Sequence, residues 1–332
     1  MSFPLPAPLA AAIETMTAGR PHAEIAERAA SISLHYREGR ASRLAIASPA
    51  DAAAYCSARM PATYAAACAA LSAARELMPS FSPASLIDLC AGPGTASFAA
   101  LSLWPEISAL TLVDANPFFL NAARSLGEAC GFAAMSEAKL IRSTLASARD
   151  ELPSADLVVM SYALVEMPLN EVAELACHVW SRSSGLLLFV EPGTPEGLRR
   201  ILICRDALIA NGAHLVAPCP HLEACPMQPP AWCHFSERLP RSHQHRLAKA
   251  AQVSYEDEPY IYLAFARSAA TLRPQGRIVS RVRVSKVDVR FSVCGQDGRL
   301  TEARTPRRDR GAYAKMRRAA WGDALLLGEP KE

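Results

Sequence analysis

The stretch SLIDLCAGPGTASFAALSLWPEISALTLVD, residues 85–114, decides the fold. It opens on a short apolar run, SLIDLC, that ends in the Gly-containing turn Cys90-Ala91-Gly92-Pro93-Gly94-Thr95, and a helix-length apolar segment follows at 95–103. A second apolar run, ALTLVD, closes the stretch at Asp114. At a strand–loop–helix junction of this kind, glycine lets the backbone approach a ligand and the helix N-terminus offers free N–H groups. An acid ending the next strand, twenty residues past Gly94, stands where ribose hydroxyls find an acceptor. The glycine spacing is not the GxGxxG of a dinucleotide site.

Outward from this stretch, further apolar runs read as strands: KLIRST (139–144), DLVVMSY (156–162) and GLLLFVE (185–191). Helical segments are expected at 117–130, 168–181 and 195–211. Buried strands alternating with helices predict an α/β unit at 81–216 with a doubly wound, mostly parallel sheet. Residues 1–80 form a separate helical segment: from 5 to 80 the chain is Ala-rich and punctuated by Pro21, Pro49 and Pro61. Beyond 216, the region 217–332 is Cys-, Pro- and His-rich and then basic. RSHQHRLAKAAQ reads as helix, YIYLAFAR follows, and a helical tail ends in AYAKMRRAAWGDALL. The alternation Val282, Val284, Val287, Val289, Phe291, Val293 before Asp297-Gly298 predicts strands leading into a turn. No internal repeat is visible.

The form DxxxGxG, headed by Asp88, with an acid closing the next strand, resembles class I S-adenosylmethionine-dependent methyltransferases. The resemblance implies a Rossmann-like sheet and S-adenosylmethionine bound by Asp88, Cys90, Ala91, Gly92, Gly94 and Asp114. This chain departs from that pattern at Cys90, where the first glycine usually stands. After the fourth strand it carries Ser161-Tyr162-Ala163-Leu164-Val165-Glu166, not the Asn/Asp-Pro-Pro-aromatic motif of many amino-methylating enzymes. There is no obvious cysteine nucleophile for pyrimidine methylation. Tyr162 and Glu166 fall at the carboxyl end of the sheet, as ligand-facing or as fold-supporting residues, and no catalytic residue is assigned.

A chain of 332 residues is long enough for two compact units. Its 51% hydrophobic and 20% charged residues exclude a disordered chain. The longest clean apolar run, GLLLFV at 185–190, is far short of the ~20 residues of a membrane span. In MSFPLPAPLAAAIETMTAGR no basic region precedes the apolar residues, which speaks against a signal or transit peptide and for an intracellular, cytoplasmic protein. Charge is unevenly distributed: residues 1–198 hold 12 Lys and Arg against 19 Asp and Glu, residues 199–332 hold 23 against 13. Within 267–318 the balance is 15 to 4, almost all of the excess being Arg. Guanidinium groups pair with phosphates, so this segment predicts nucleic-acid contact, with Arg277, Arg281, Arg283, Arg307, Arg308, Arg317 and Arg318 as candidate phosphate ligands.

Of ten cysteines, Cys56, Cys68, Cys130, Cys177 and Cys204 sit singly in apolar or Ala-rich helical contexts and read as core. The segment APCPHLEACPMQPPAWCHF (217–235) is different. Cys219, Cys225 and Cys233 are spaced C-x5-C-x7-C in a Pro-rich loop, and Cys294 follows at the end of a strand. Four sulfur ligands suit zinc or an iron–sulfur cluster, with His221, His234, His243 and His245 as additional nitrogen donors. Composition leaves zinc and cluster open.

RMPATYAA (59–66), DLCAGPGT (88–95), VEPGTPEG (190–197), APCPHLEACPM (217–227), WCHFSERLPRSHQHRLAK (232–249) and YEDEPYIYLAFAR (255–267) together resemble the Rsm22 family. That family comprises mitochondrial small-ribosomal-subunit proteins and their bacterial relatives, and the resemblance runs from about residue 50 to the end. It implies a methyltransferase-like fold with a C-terminal Cys-rich metal-cluster and β subdomain. It also implies a role in small-subunit assembly in contact with small-subunit rRNA, and a 4Fe–4S cluster on Cys219, Cys225, Cys233 and Cys294, with His221 and His234 outside the ligand set. Two other readings are an active rRNA methyltransferase and a zinc-stapled RNA-binding module whose cofactor pocket is vestigial.

Overall fold

The computed structural model of the protein describes residues 3–37, 45–148 and 152–326. Strands β1 (Ser85–Leu89), β2 (Ala109–Asp114), β3 (Lys139–Arg142), β4 (Ala155–Ser161) and β5 (Ser183–Pro192) pair in parallel in the order β3-β2-β1-β4-β5. The order reverses between β1 and β4, and in open α/β sheets the crevice at such a reversal, beyond the carboxyl ends of the strands, takes the ligand. Runs such as Leu157–Met160 and Leu186–Val190 are almost wholly buried, as sheets covered on both faces require.

The helices begin and end on local signals. In Pro117–Cys130, the Asn116 side chain accepts the Phe118 and Phe119 N–H groups (2.9 and 3.3 Å), and Gly131 closes the helix in the left-handed region. In Pro195–Ala210, the Thr194 hydroxyl accepts from Gly197 N (3.0 Å). The N-terminal segment forms helices Ala7–Thr17, His22–Arg37, Pro49–Ala58 and Met60–Leu77. Small side chains (Ala62, Ala65, Ala66, Ala70, Ala74) let Met60–Leu77 bury itself almost completely against the main core. Residues 38–44 of the expected helical segment and 327–332 of the expected C-terminal region lie outside the described residues.

The sheet does not stop at 216, where the sequence predicts a boundary. β8 (Tyr255–Ala266) lies antiparallel beside β5, and both β6 (His214–Ala217) and β7 (Phe235–Pro240) pair with β8. The apolar run Tyr260–Ala266 therefore completes the α/β unit, and the cysteine loop is an excursion between β6 and β8. Pairing partners so distant in sequence leave no trace in local periodicity.

A second, antiparallel sheet follows, of β9 (Gly276–Ile278), β10 (Arg283–Val284), β11 (Asp288–Gly295), β12 (Leu300–Pro306) and β13 (Ala324–Leu325), over a small core of Ile278, Val289, Phe291 and Val293. The expected alternation holds from Val289 onward, but Val284 and Val287 are 54% and 63% exposed because a turn at Ser285 breaks the run. The expected helical tail is helical only over Arg310–Met316. Cys56, Cys68 and Cys204 are buried as expected, whereas Cys130 and Cys177 are only half-buried. No helix among the described residues is long and apolar enough to cross a membrane.

Candidate functional site

A cavity of about 880 Å³ opens at the carboxyl ends of β1, β2, β4 and β5. Cys90, Ala91 and Gly92 form one wall, Asp114 and Ala115 a second, and Ser161–Ala163 with Pro192 and Thr194 a third. Tyr36, Tyr55 and Arg59 of the N-terminal helices close the space above the strand ends. Two cavity-lining residues, Cys90 and Tyr162, hold positive φ values of 55° and 56°, a conformation that costs non-glycine residues about 1–3 kcal/mol and clusters at functional sites.

Asp114 is placed as the sequence predicts. Its carboxylate accepts from Gly92 N (2.8 Å) and Asn116 N (2.7 Å), which fixes it at the cavity wall with lone pairs remaining for a ligand. Burial raises its pKa against those backbone donors. Asp88 and Gly94, also expected to bind the cofactor, do not line the cavity. Asp88 is fully buried and accepts the Ser97 N–H (3.1 Å) and hydroxyl (2.7 Å), bracing the first turn of helix Thr95–Leu103, and burial pushes its pKa up to about 7. Gly94 takes a φ of +77°, and a Cβ there would stand 2.7 Å from Met135 Cε, so its task is the turn itself.

Two further groups shape the cavity. Glu191, the acid of VEPGTP, is wholly buried at the end of β5 and accepts N–H groups of Ala163 (2.9 Å), Leu164 (2.8 Å) and Val165 (3.3 Å). Burial pushes its pKa up to about 7. Arg200 grips the same loop through Leu164 O (2.7 Å) and Met167 O (3.1 Å). Opposite, Glu258 on β8 accepts from the Tyr162 hydroxyl (3.0 Å) and from Arg59 (3.3 Å). Arg59, Tyr162 and Glu258, spread over two hundred residues of sequence, thus meet at one edge of the cavity.

Of the four cysteines singled out by the sequence, Cys219, Cys225 and Cys233 are half-buried in the loop between β6 and β7, and Cys294 is buried on β11. Burial pushes the Cys219, Cys233 and Cys294 thiols up, Cys294 to about 12. Cys219, Cys225 and Cys294 push Cys233 further, as Cys219 and Cys225 do Cys294. Arg205 draws Cys219 and Cys294 down, and Arg277 acts likewise on Cys219 and Cys233. His221 Nε2 lies 3.2 Å from Cys294 Sγ, while His245 faces the Ala58 carbonyl and Glu256 and His243 is exposed. His234 stacks on Trp232 and meets Trp321 edge-on. Among the described residues, no three His, Cys, Asp or Glu side chains close into a group that could hold a single metal ion. Four thiolates on one zinc stand about 3.8 Å apart, given Zn–S bonds of about 2.3 Å.

The cysteine loop is tied into both sheets. Trp232 Nε1 donates to Gly193 O (2.9 Å), beside the cavity-lining Pro192 and Thr194. Cys294 on β11 stands directly opposite Arg277 on β9. Arg277, expected at the phosphate-binding surface, is instead 1% exposed and donates to Pro218 O and Gly322 O, both at 2.9 Å. The register that sets it opposite Cys294 turns it inward. Arg283, Arg307, Arg308, Arg317 and Arg318 are exposed as expected, and Arg281 approaches Asp257 at 4.0 Å.

A sequence profile of the family described as mitochondrial small ribosomal subunit Rsm22 matches residues 49–326. The human mitochondrial ribosome assembly protein METTL17 is 26% identical over 305 residues, covering 83% of this chain and 62% of that protein. Rsm22-cox11 tandem protein 2, a mitochondrial protein of Schizosaccharomyces pombe, is 26% identical over 295 residues, covering 73% of this chain and 38% of that one. The chain therefore spans less than two-thirds of either relative. Among solved structures, magnesium protoporphyrin IX methyltransferase from Synechocystis PCC 6803 aligns with 60% of this chain and 78% of its own, at 13% identity and a TM-score of 0.39. A ribosomal protein L11 methylase from Lactobacillus delbrueckii aligns with 60% and 77%, at 16% identity and a TM-score of 0.37.

Proposed function

The chain belongs to the Rsm22 family of mitochondrial small-ribosomal-subunit proteins, and from that premise we propose that it is an assembly factor of the small ribosomal subunit. In this reading it binds small-subunit rRNA, carries S-adenosylmethionine in the cavity and is stapled by a 4Fe–4S cluster on Cys219, Cys225, Cys233 and Cys294. The observation that carries the reading is the family match over 49–326.

The geometry supports each part. The cavity suits S-adenosylmethionine, which when bound supplies an electrophilic methyl group and carries positive charge. Asp114 would accept the ribose hydroxyls, the Ala91–Gly92 turn would approach the methionine part, and buried Glu191 keeps the Tyr162–Val165 wall in place. The surroundings of the cysteines suit an anionic four-thiolate centre: Cys294 stands opposite Arg277 in the strand register, and buried Arg205 and Arg277 hold the carbonyls on either side of Cys219. A bound cluster would supply cross-links between a loop and a distant strand, and metal-binding energy is folding energy in such sites. The exposed arginines of the second sheet and of the residues after it supply the charge for rRNA phosphates.

The test is sedimentation of anaerobically purified, iron-loaded protein with ribosomal particles. Co-migration with small subunits or their precursors, and not with large subunits, is expected; no preference would overturn the assignment. Labelled S-adenosylmethionine in the same mixture separates an assembly factor, which leaves rRNA unlabelled, from an active methyltransferase. One zinc and no iron per chain would replace the cluster by a zinc staple.

A further inference from the structure

Arg205 and Arg277 are among the largest fully buried side chains of the molecule, 2% and 1% exposed. They come from different units, Arg205 from helix Pro195–Ala210 and Arg277 from β9. Both point at the cysteine loop. Arg205 donates to the carbonyls of His221 (3.1 Å) and Glu223 (2.6 Å), and Arg277 to that of Pro218 (2.9 Å), so their contacts bracket Cys219. Neither has a buried carboxylate partner among the described residues: Arg205 reaches only Asp206, whose side chain is 75% exposed, and Arg277 has no ion pair. Arg205 Nε, Arg277 Nη2 and His221 Nδ1 are buried with no hydrogen-bond partner among the described residues. Buried charge is normally paired and buried donors are normally satisfied.

We propose that Arg205 and Arg277 are the resident counter-cations of the four-cysteine centre, holding its negative charge and orienting the loop that carries Cys219. This rests on the four-thiolate reading given above. Four thiolates with a 4Fe–4S core, or with one zinc, carry a net charge of about −2, which two guanidiniums match. Side chains directly opposite in an antiparallel pair share a face, so Arg277 meets Cys294 from the second sheet while Arg205 approaches Cys219 from the first.

The test compares Arg205→Met and Arg277→Met, neutral chains of similar length, with wild type after anaerobic purification. Iron or zinc per chain should fall at least threefold, and the remainder should leave to a chelator at least tenfold faster. The metal-free variants should be as resistant to urea as metal-free wild type, or more so, because an uncompensated cation has gone. Arg205→Lys and Arg277→Lys, which keep the charge, should retain more metal than the Met variants. Full metal content in the Met variants, or a loss of stability equal with and without metal, would reduce both arginines to loop supports and overturn the proposal. Wild type holding neither iron nor zinc would sink the four-thiolate reading first, and this proposal with it.

Discussion

At the carboxyl ends of β1, β2 and β5 stand the acids Asp88, Asp114 and Glu191, with buried Arg200 beside the loop that Glu191 holds, whereas around the cysteines the buried charged groups are the guanidiniums Arg205 and Arg277. Backbone N–H groups of the loops they shape satisfy Asp114 and Glu191, and Ser97 satisfies one oxygen of Asp88. Each guanidinium keeps an N–H with no partner among the described residues. The difference teaches that the cavity acids are held mostly by loop N–H groups, whereas the two guanidiniums beside the cysteine loop are buried without a buried carboxylate partner among the described residues, the imbalance that the proposed anionic centre would offset.

The strongest way to break this comparison is to remove the occupant. Any one of Cys219→Ser, Cys225→Ser, Cys233→Ser and Cys294→Ser should lose most of the iron, and Cys56→Ser and Cys204→Ser should keep it. Removing one side of a buried charge arrangement costs on the order of 3–5 kcal/mol. The second sheet should therefore lose protection in hydrogen exchange, while β1–β5 and S-adenosylmethionine affinity stay as in wild type. Loss of protection spread evenly over both sheets would show that the regions are not independent.

The two regions were also unequally legible. β2 lies at the expected 109–114 and the next helix at the expected 117–130, because apolar period, Pro117 and Gly131 are local signals. The position of Asp114 at the end of β2 is legible in the spacing from the glycine turn. Asp88 and Gly94 lie off the cavity wall, because motif membership does not say which way a residue faces. Glu191 went unassigned, although an acid ending an all-apolar strand was a signal of buried work. Arg205 had one too: it shares the buried stripe of Ile201, Cys204 and Leu208. Arg277 had none, because its inward turn comes from pairing with β11.

The acids make the next test, one of pH. Asp88 and Glu191 are both held near pKa 7 in the fold by burial, against about 4 for free carboxyls. Below the unfolded value both states are protonated and nothing is gained. Between about 4 and 7 the folded state holds protons that the unfolded state has released, so stability falls with rising pH and levels off above 7. Glu237, which burial also holds near 7, adds to the same decline, so the total should be on the order of several kcal/mol and Asp88→Asn should remove about a third of it. A urea-midpoint profile flat between pH 4.5 and 7.5 would contradict this picture of the cavity wall.

A smaller effect is expected at the ligand itself. Asp114→Ala removes a charged acceptor and should weaken S-adenosylmethionine binding by about 1.5–3 kcal/mol, leaving iron content unchanged. Calorimetry decides it: equal affinity in variant and wild type would take the ribose role from Asp114, and no binding by wild type would make the cavity vestigial.

The finest test separates interior from exterior positive charge within the single basic segment 267–318. Arg277 is sealed against the cysteine loop, while Arg308, Arg317 and Arg318 are exposed and have no ion-pair partner among the described residues. Arg290 and Arg304 are exposed but paired: both donate to Asp288, whose carboxyl they hold down at about 2. If the exposed set meets rRNA phosphates, affinity for small-subunit RNA should fall steeply with salt, by roughly 0.7–0.9 in log–log slope per phosphate contact. Arg308→Ala with Arg317→Ala should flatten the slope by roughly 1.4–1.8 without touching iron. Arg304→Ala should change it less, because Asp288 already takes up part of that charge. Arg277→Met should leave the slope unaltered while metal is lost, since a guanidinium shielded from solvent meets no phosphate. A slope that responded to Arg277 as strongly as to Arg308 would mean that the cysteine pocket opens on RNA, and the division between interior and exterior charge would fail.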